Sequence, residues 1–436
     1  MEPLFLAVIC GCNAGLYREA LHKIYIPRIQ QGDALFAANI LGARGALLLV
    51  LAHFFENGQW GSFVETAVEQ QSLTAEDQLL VLMQAGQYLR ATRGFAAREA
   101  LICYERAERL CHSLNHPLVL SVALTGQWRY SLNTDTLTAT MQIAGRIYSL
   151  AQEQNDSVLM IGAYCALAMT HYFAGDFETF GQYAMRAVRL WRSRDVQFLR
   201  EELDMLGITC LCYEALYLWH LGEIALCQAT IAEAISMAKE LKDMHGLAVA
   251  LYWAARLYLS ERNFSEGERL TSELIEVSTR QNFPHWLALG TALRGWTRVA
   301  SGDIKEGLAW IEGGIRDWVG TGAVLQLPYY LGLKSEALHL ANRTSEALAT
   351  ISEAEALVER LEDRHWCAEL HRLRGVFLAA LGSDEAQIEA SFSAAIRTGK
   401  GQKSITLAAR AEATHAEYRR QKASGSGGRG FRLPLW

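Results

Sequence analysis

Nine cysteines and twelve histidines are the residues of this 436-residue chain best suited to metal or redox chemistry, and their spacing decides whether they form a site. Cys10 and Cys12, and again Cys210 and Cys212, are separated by one residue, and no Cys-x-x-Cys pair of the kind used by structural zinc sites occurs. The nearest approach to a ligand cluster is Cys111, His112 and His116, where two histidines four apart could share a helix face, but Asn115 and Pro117 mark a helix end there. An odd cysteine total with no export signal predicts free, buried thiols in a reducing cytoplasm. The run Gly399-Lys400-Gly401-Gln402-Lys403-Ser404 resembles a phosphate loop in outline. A Walker A loop needs a glycine five residues before its Gly-Lys pair, and Ala394 stands there instead. Neither a Gly-x-Ser-x-Gly elbow nor a His-Glu-x-x-His helix is found, and Glu353, Glu355, Glu359 and Glu362 read as solvated helix faces. The chain is therefore expected to be a non-enzyme, with no catalytic, cofactor-binding or metal-ligating residues assigned.

What the residue types do favour is recognition. Tyr252, Arg256, Trp286, Arg294, Trp296, Tyr329, Tyr330, Lys334, Trp366, Glu369 and Arg372 stand at comparable places in successive segments. Tryptophan, tyrosine and arginine dominate the energetics of binding surfaces, so these eleven are the candidate partner-binding groove. The competing role for each tryptophan is to lock neighbouring helices together. An inter-hairpin pocket lined by Trp286, Trp296 and Tyr330 would instead suit a small metabolite.

The elements that must position these residues repeat with a period of 40. Gly222-Glu223-Ile224, Arg262-Asn263-Phe264, Gly302-Asp303-Ile304, Asn342-Arg343-Thr344 and Gly382-Ser383-Asp384 are successive junctions, each 40 residues after the last. An apolar, aromatic-rich run such as Leu247 to Ser260 leads into each junction, and an amphipathic run leads out, which defines a helical hairpin. Twelve residues after each junction stands Ala187, Ala234, Leu274, Gly314, Ala354 or Ala394, counting from Gly175 onward. Small residues there let two helices cross closely. Earlier junctions are placed at Gly15, Gly58, Gly94, Asn133 and Gly175, and the wider step to Gly222 is assigned to a polar insert, Arg192 to Asp204. The prediction is an all-α, right-handed superhelical solenoid of about ten antiparallel hairpins. Its parts are residues 1–160, less regular; 161–418, a regular array; and 419–436, a flexible basic Gly/Ser tail.

Only six prolines suit long, uninterrupted helices. A net charge of -6 argues against a general nucleic-acid binder, which would carry a basic stripe. The longest apolar run, Ala46 to Phe55, contains His53 and reads as a buried helix rather than a membrane span. Met1 to Cys12 lacks a basic leader and carries Glu2, so a cytoplasmic location is expected.

The unit resembles the tetratricopeptide repeat in an elongated form. Cys210 to Leu241, Arg280 to Asp303 and Ala368 to Gly382 resemble, more specifically, the C-terminal repeat region of bacterial proteins that fuse a class III adenylate or guanylate cyclase domain to an ATPase module. The tail's last residues, Gly428 to Trp436, resemble the ending of some rhizobial members. That resemblance implies a signalling role in which the repeats sense, dock or autoinhibit, with a cyclase or an ATPase as partner. Neither the cyclase domain nor the ATPase phosphate loop is present in this sequence, so the resemblance implies a detached regulatory part or a truncated relative and no catalysis. The segment Ala423 to Trp436, basic with an apolar end, is expected to dock onto a partner or onto the groove.

Overall fold

The computed structural model describes residues 1–32, 35–39, 41–65, 69–193 and 200–424. Among them the chain is mostly helical, with no strands. In order the helices are α1 (Glu2–Asn13), α2 (Tyr17–Glu19, continued by a π-wound segment Ala20–Gln30), α3 (Phe36–Asn39), α4 (Arg44–Ala52), α5 (Ala75–Arg93), α6 (Arg98–Leu114), α7 (Pro117–Thr134), α8 (Leu137–Gln154), α9 (Ser157–Ala174), α10 (Phe177–Trp191), α11 (Arg200–His220), α12 (Ile224–Glu240), α13 (Met244–Ser260), α14 (Phe264–Gln281), α15 (Pro284–Ala300), α16 (Ile304–Val319), α17 (Leu327–Leu340), α18 (Thr344–Leu361), α19 (Cys367–Ala380), α20 (Glu385–Gly401) and α21 (Ile405–Ala423).

From α5 onward consecutive helices pack as hairpins, α5 on α6 through α19 on α20, and α21 ends the described array. The turns explain the repeat seen in the sequence. Gly94, Gly175, Gly222, Arg262, Gly302, Asn342 and Gly382 all take positive φ where a helix ends and the chain reverses. Asn133 does not, because α7 runs one residue past it and the reversal falls at Asp135. Gly58 is a second departure: it lies in a short turn, Glu56–Gly58, closed by a bridge between Phe55 and Phe63, and the next long helix begins only at Ala75. Phe55 stacks there on Phe63 at 4.6 Å and meets Trp60 at 5.1 Å between ring centroids.

The small residues do mark close crossings. A Cβ at Gly314 would stand 2.6 Å from the Ala288 carbonyl oxygen and 2.7 Å from the Ala292 nitrogen, so α15 and α16 touch backbone to backbone. Ala187, Ala234 and Ala354 are fully buried. At the last unit the buried position is Ala395 rather than Ala394, because α20 starts one residue later after its junction than α16 does after Gly302.

Of the predicted insert, residues 194–199 lie outside the described residues, while Arg200 onward belongs to α11. The docking segment from Ala423 lies outside them too, beyond Ser424; α21 itself runs to Ala423, so the first residues of the predicted tail are helical. One helix among those described, Ser157–Ala174, is long and apolar enough to cross a membrane, but it is mostly buried between its neighbours as a core helix.

The array also closes on itself. The odd-numbered helices face the superhelix axis, and α5 touches α15 while α11 touches α21, so the chain returns after five hairpins. The contacts are specific. Val324 N–H donates to the Asn133 carbonyl at 2.9 Å, and Arg364 N–H to the Phe173 carbonyl at 2.7 Å. Glu362 accepts from the Thr138 hydroxyl across 224 residues of chain, and Arg410 donates to the Ser260 carbonyl at 2.6 Å.

Candidate functional site: the interior of the superhelix

Closure turns the axis into a packed interior and decides where the candidate residues lie. Nine of the eleven predicted groove residues are buried there: Tyr252, Arg256, Trp286, Trp296, Tyr329, Tyr330, Trp366, Glu369 and Arg372. Arg294 and Lys334 keep partial exposure and pair with Glu268 at 3.0 Å and Glu312 at 3.0 Å. The eleven do not form one continuous open face. Tyr252, Arg256 and Tyr329 join a central polar cluster, Glu369 and Arg372 a C-terminal one, and Trp286 a third cluster made otherwise of residues the sequence did not single out.

The central cluster is built on Arg256 of α13. Its guanidinium lies 3.9 Å from the Tyr329 ring centroid and 5.0 Å from that of Trp253, and donates to Gln326 Oε1 at 2.5 Å and to His365 Nε2 at 3.2 Å. Gln326 also accepts from the Tyr252 hydroxyl, and its backbone N–H donates to Asp363 Oδ2 at 2.8 Å. Asp363 Oδ1 closes the chain on His365 Nδ1 at 2.6 Å. Burial pushes His365 below its ordinary range, against the opposing pull of Asp363. Two loops deliver these groups. Helices α17 and α19 are 14 residues long where α13 and α15 have 17, and the missing first turns are replaced by the segments ending at Gln326 and Trp366. Gln326 is held at φ 66°, a left-handed conformation rare for a residue with a side chain, and its paired side chain and backbone hold it there. Gln326, Asp363 and His365 escaped sequence reasoning. The only local trace is Pro328, which marks a late helix start.

The C-terminal cluster is a buried ion network. Arg372 binds Glu369 through two parallel bonds of 2.9 and 2.7 Å, one turn apart on α19, and reaches Thr414 at 3.3 Å. Arg410 lies 3.6 Å from Glu369, and Arg262 lies 3.4 Å from Glu336. Burial alone would raise the Glu369 carboxyl, but the guanidiniums of Arg372 and Arg410 overcome it and hold the group at about 2.

The N-terminal cluster lies inside the first turn. Arg90 of α5 sits 5.5 Å from the Phe95 ring centroid, which packs edge-on against His285 and Trp286 at 4.8 and 5.7 Å. Arg44, at the start of α4, covers Phe283 at 5.8 Å, and Trp286 Nε1–H donates to His245 Nε2 at 3.4 Å. Arg129 of α7 is half-buried, and burial together with Arg90 depresses it to about 10. Burial and the cations Arg90, Arg44 and Arg129 push His245 well below its ordinary range, and burial takes His285 to about 3.

The motifs weighed in the sequence have structural places. Gln402, within the phosphate-loop lookalike, donates to the Arg364 carbonyl at 2.7 Å, and Ser404 meets His220 Nδ1 at 2.9 Å, so this turn latches α21 to the array. His116 faces Glu76 at 3.0 Å while His112 faces Glu108 at 3.8 Å, on either side of the α6 end. All nine cysteines are free thiols; Cys165 and Cys210 lie 3.7 Å apart, and that contact, with burial added, raises Cys210 well above the thiol range.

Comparison with known proteins agrees with this architecture. Residues 177–261 match the family model of anaphase-promoting complex subunit 5. An uncharacterised protein of Rhizobium meliloti is 24% identical over 197 residues, which cover 45% of this chain and 19% of that protein, so the match spans less than a fifth of its length. Among solved structures, a Rap protein complexed with competence and sporulation factor is 11% identical, with a TM-score of 0.54 over 80% of this chain and 99% of that one. Aspartyl phosphate phosphatase F from Bacillus subtilis is 14% identical, with a TM-score of 0.45 over 91% and 95%. The first of these shows the fold: a tetratricopeptide-like helical solenoid.

Proposed function

We propose that this chain is a non-catalytic helical-repeat module that recognises a protein partner in bacterial signalling. The observation that carries the reading is how its polar interior is arranged. In the central and C-terminal clusters, charged and aromatic groups hold one another in fixed geometry and leave no nucleophile beside a base, as scaffolding does. The Rap neighbour was solved in complex with competence and sporulation factor, which supports a binding role here. The resemblance of Cys210 to Leu241, Arg280 to Asp303 and Ala368 to Gly382 to the repeats of cyclase–ATPase fusions is what motivates a cyclase or ATPase as the partner. Arg294 and Lys334, which retain solvent access, are the proposed contact residues among the eleven.

Affinity purification with this chain as bait tests the reading. Recovery of a cyclase, an ATPase or another regulator, lost on Arg294→Ala with Lys334→Ala, is the expected result. Turnover of ATP or GTP by the purified chain with Mg²⁺ or Mn²⁺ would overturn the non-catalytic part. A second reading, a small-molecule sensor, is favoured by the N-terminal cluster, where Arg90 and Arg129 are partly exposed and their Nε atoms have no hydrogen-bond partner.

A further inference from the structure

Charge inside a protein is normally matched, because an unpaired buried ion is costly. The C-terminal network obeys this rule, with every named arginine near a carboxylate. The interior of the first turn does not. Among the described residues no carboxylate lies within ion-pair distance of Arg90 or Arg129, and the Nε atom of each is buried with no hydrogen-bond partner. Helices α5, α7, α13 and α15 supply Arg90, Arg129, His245 and His285, and α4 adds Arg44. The carboxylate acting on this group is Asp243, beside Arg44. Its Oδ1 already caps α13 through the His245 N–H at 3.1 Å.

We propose that this cluster is an anion site that takes the phosphate of a small phosphomonoester, gripped by Arg90 and Arg129. The choice of anion follows from charge. Two guanidiniums lack a counter-ion, and a dianionic phosphate neutralises both, whereas a carboxylate would neutralise one. All three cations are arginines, whose planar forks match phosphate oxygens better than an ammonium does. Phe95 and Trp286, edge to face beside Arg90 and His245, offer apolar surface to the rest of the molecule. The partial exposure of Arg44, Arg90, Arg129 and His245 within a wall of five helices leaves these groups reachable. Burial first, and then the neighbouring arginines, lower Arg129 and His245, and a bound dianion would offset both. The inference rests on the sensor reading and is independent of any protein partner.

The test uses the purified full chain, with inorganic phosphate and adenosine 5′-monophosphate as probes and acetate as control, all at constant ionic strength. A ligand that binds only the folded state raises the melting temperature in a saturable way. Phosphate and the monophosphate are expected to do so and acetate not. A tighter monophosphate would assign the aromatic pair to the organic part, and equal affinities would confine recognition to the phosphate. Arg129→Gln and Arg90→Gln are expected to weaken binding at least tenfold, while the surface variant Arg280→Gln keeps it. Phosphorus NMR line broadening with the unmodified chain gives a readout that needs no variant. The proposal is overturned if neither probe binds saturably, or if both arginine variants bind as tightly as the parent. A bait experiment that still recovers a regulator with Arg129→Gln leaves the partner reading standing whichever way the titration falls.

Discussion

The two ends of the interior hold similar residues in opposite states. Around α19, Arg372, Arg410 and Arg262 are matched by Glu369 and Glu336, with the bidentate pair fully buried. Around α5 and α7, Arg90 and Arg129 stand near His245 with no carboxylate of the described residues in ion-pair range of either arginine. A matched network fixes geometry, since each group defines the position of the next. An unmatched one stores repulsion and is retained where something outside the fold completes it. The difference assigns structure to one end and recognition to the other.

The largest expected effect comes from breaking the matched end. Arg372→Met leaves Glu369 buried beside a methionine and should cost about 3–5 kcal/mol in urea-induced unfolding; a loss below ~1 kcal/mol would mean the network is not the clamp described.

Acid should separate the two ends. His285, folded at about 3 against an ordinary value near 6.5, takes up its proton only on unfolding; its stabilisation is complete above about pH 6.5 and is shed as pH falls toward 3. Glu369, held at about 2 against 4.5, contributes fully above pH 4.5 and loses that contribution only between 4.5 and 2. Hydrogen exchange at pH 5 should therefore open α13 and α15 before α19, and the reverse order would contradict the comparison.

Removing an unmatched charge should do little. Arg129→Gln in phosphate-free buffer is expected to change stability by less than about 1 kcal/mol, or to raise it, because no partner is orphaned. The smallest effect belongs to the exposed pair of Arg280 with Glu276, where Arg280→Ala should change stability by about 0.5 kcal/mol or less in the same assay.

The array itself was readable because its signals are local. Gly222, Gly302 and Asn342 reverse the chain by their own conformational tolerance, and Gly314 is small because a neighbour in the same hairpin presses on it. Gly58 misled because an isolated glycine does not distinguish a hairpin turn from a bridge closed by Phe55 and Phe63. The site was hardly legible. Tyr252, Trp286 and Glu369 look like surface candidates when each unit is considered alone, and they are buried because other units close over them: Tyr252 meets Gln326, Trp286 meets Phe95 and Glu369 meets Arg410. Arg90 and Arg129 stand out only once α5, α7 and α15 face one another, and no period of 40 encodes that meeting. His365 meets Arg256 across 109 residues for the same reason.

The return of α15 onto α5 also bears on how such a chain can evolve. Repeat arrays ordinarily lengthen or shorten by whole units, because each unit touches only the next and stability is close to a sum over neighbours. Here Thr138 needs Glu362, and His220 needs Ser404, at fixed distances along the chain. Duplicating or losing one hairpin between them would bring every such partner round to the wrong wall, so the unit count is frozen much as the number of blades is frozen in a closed propeller.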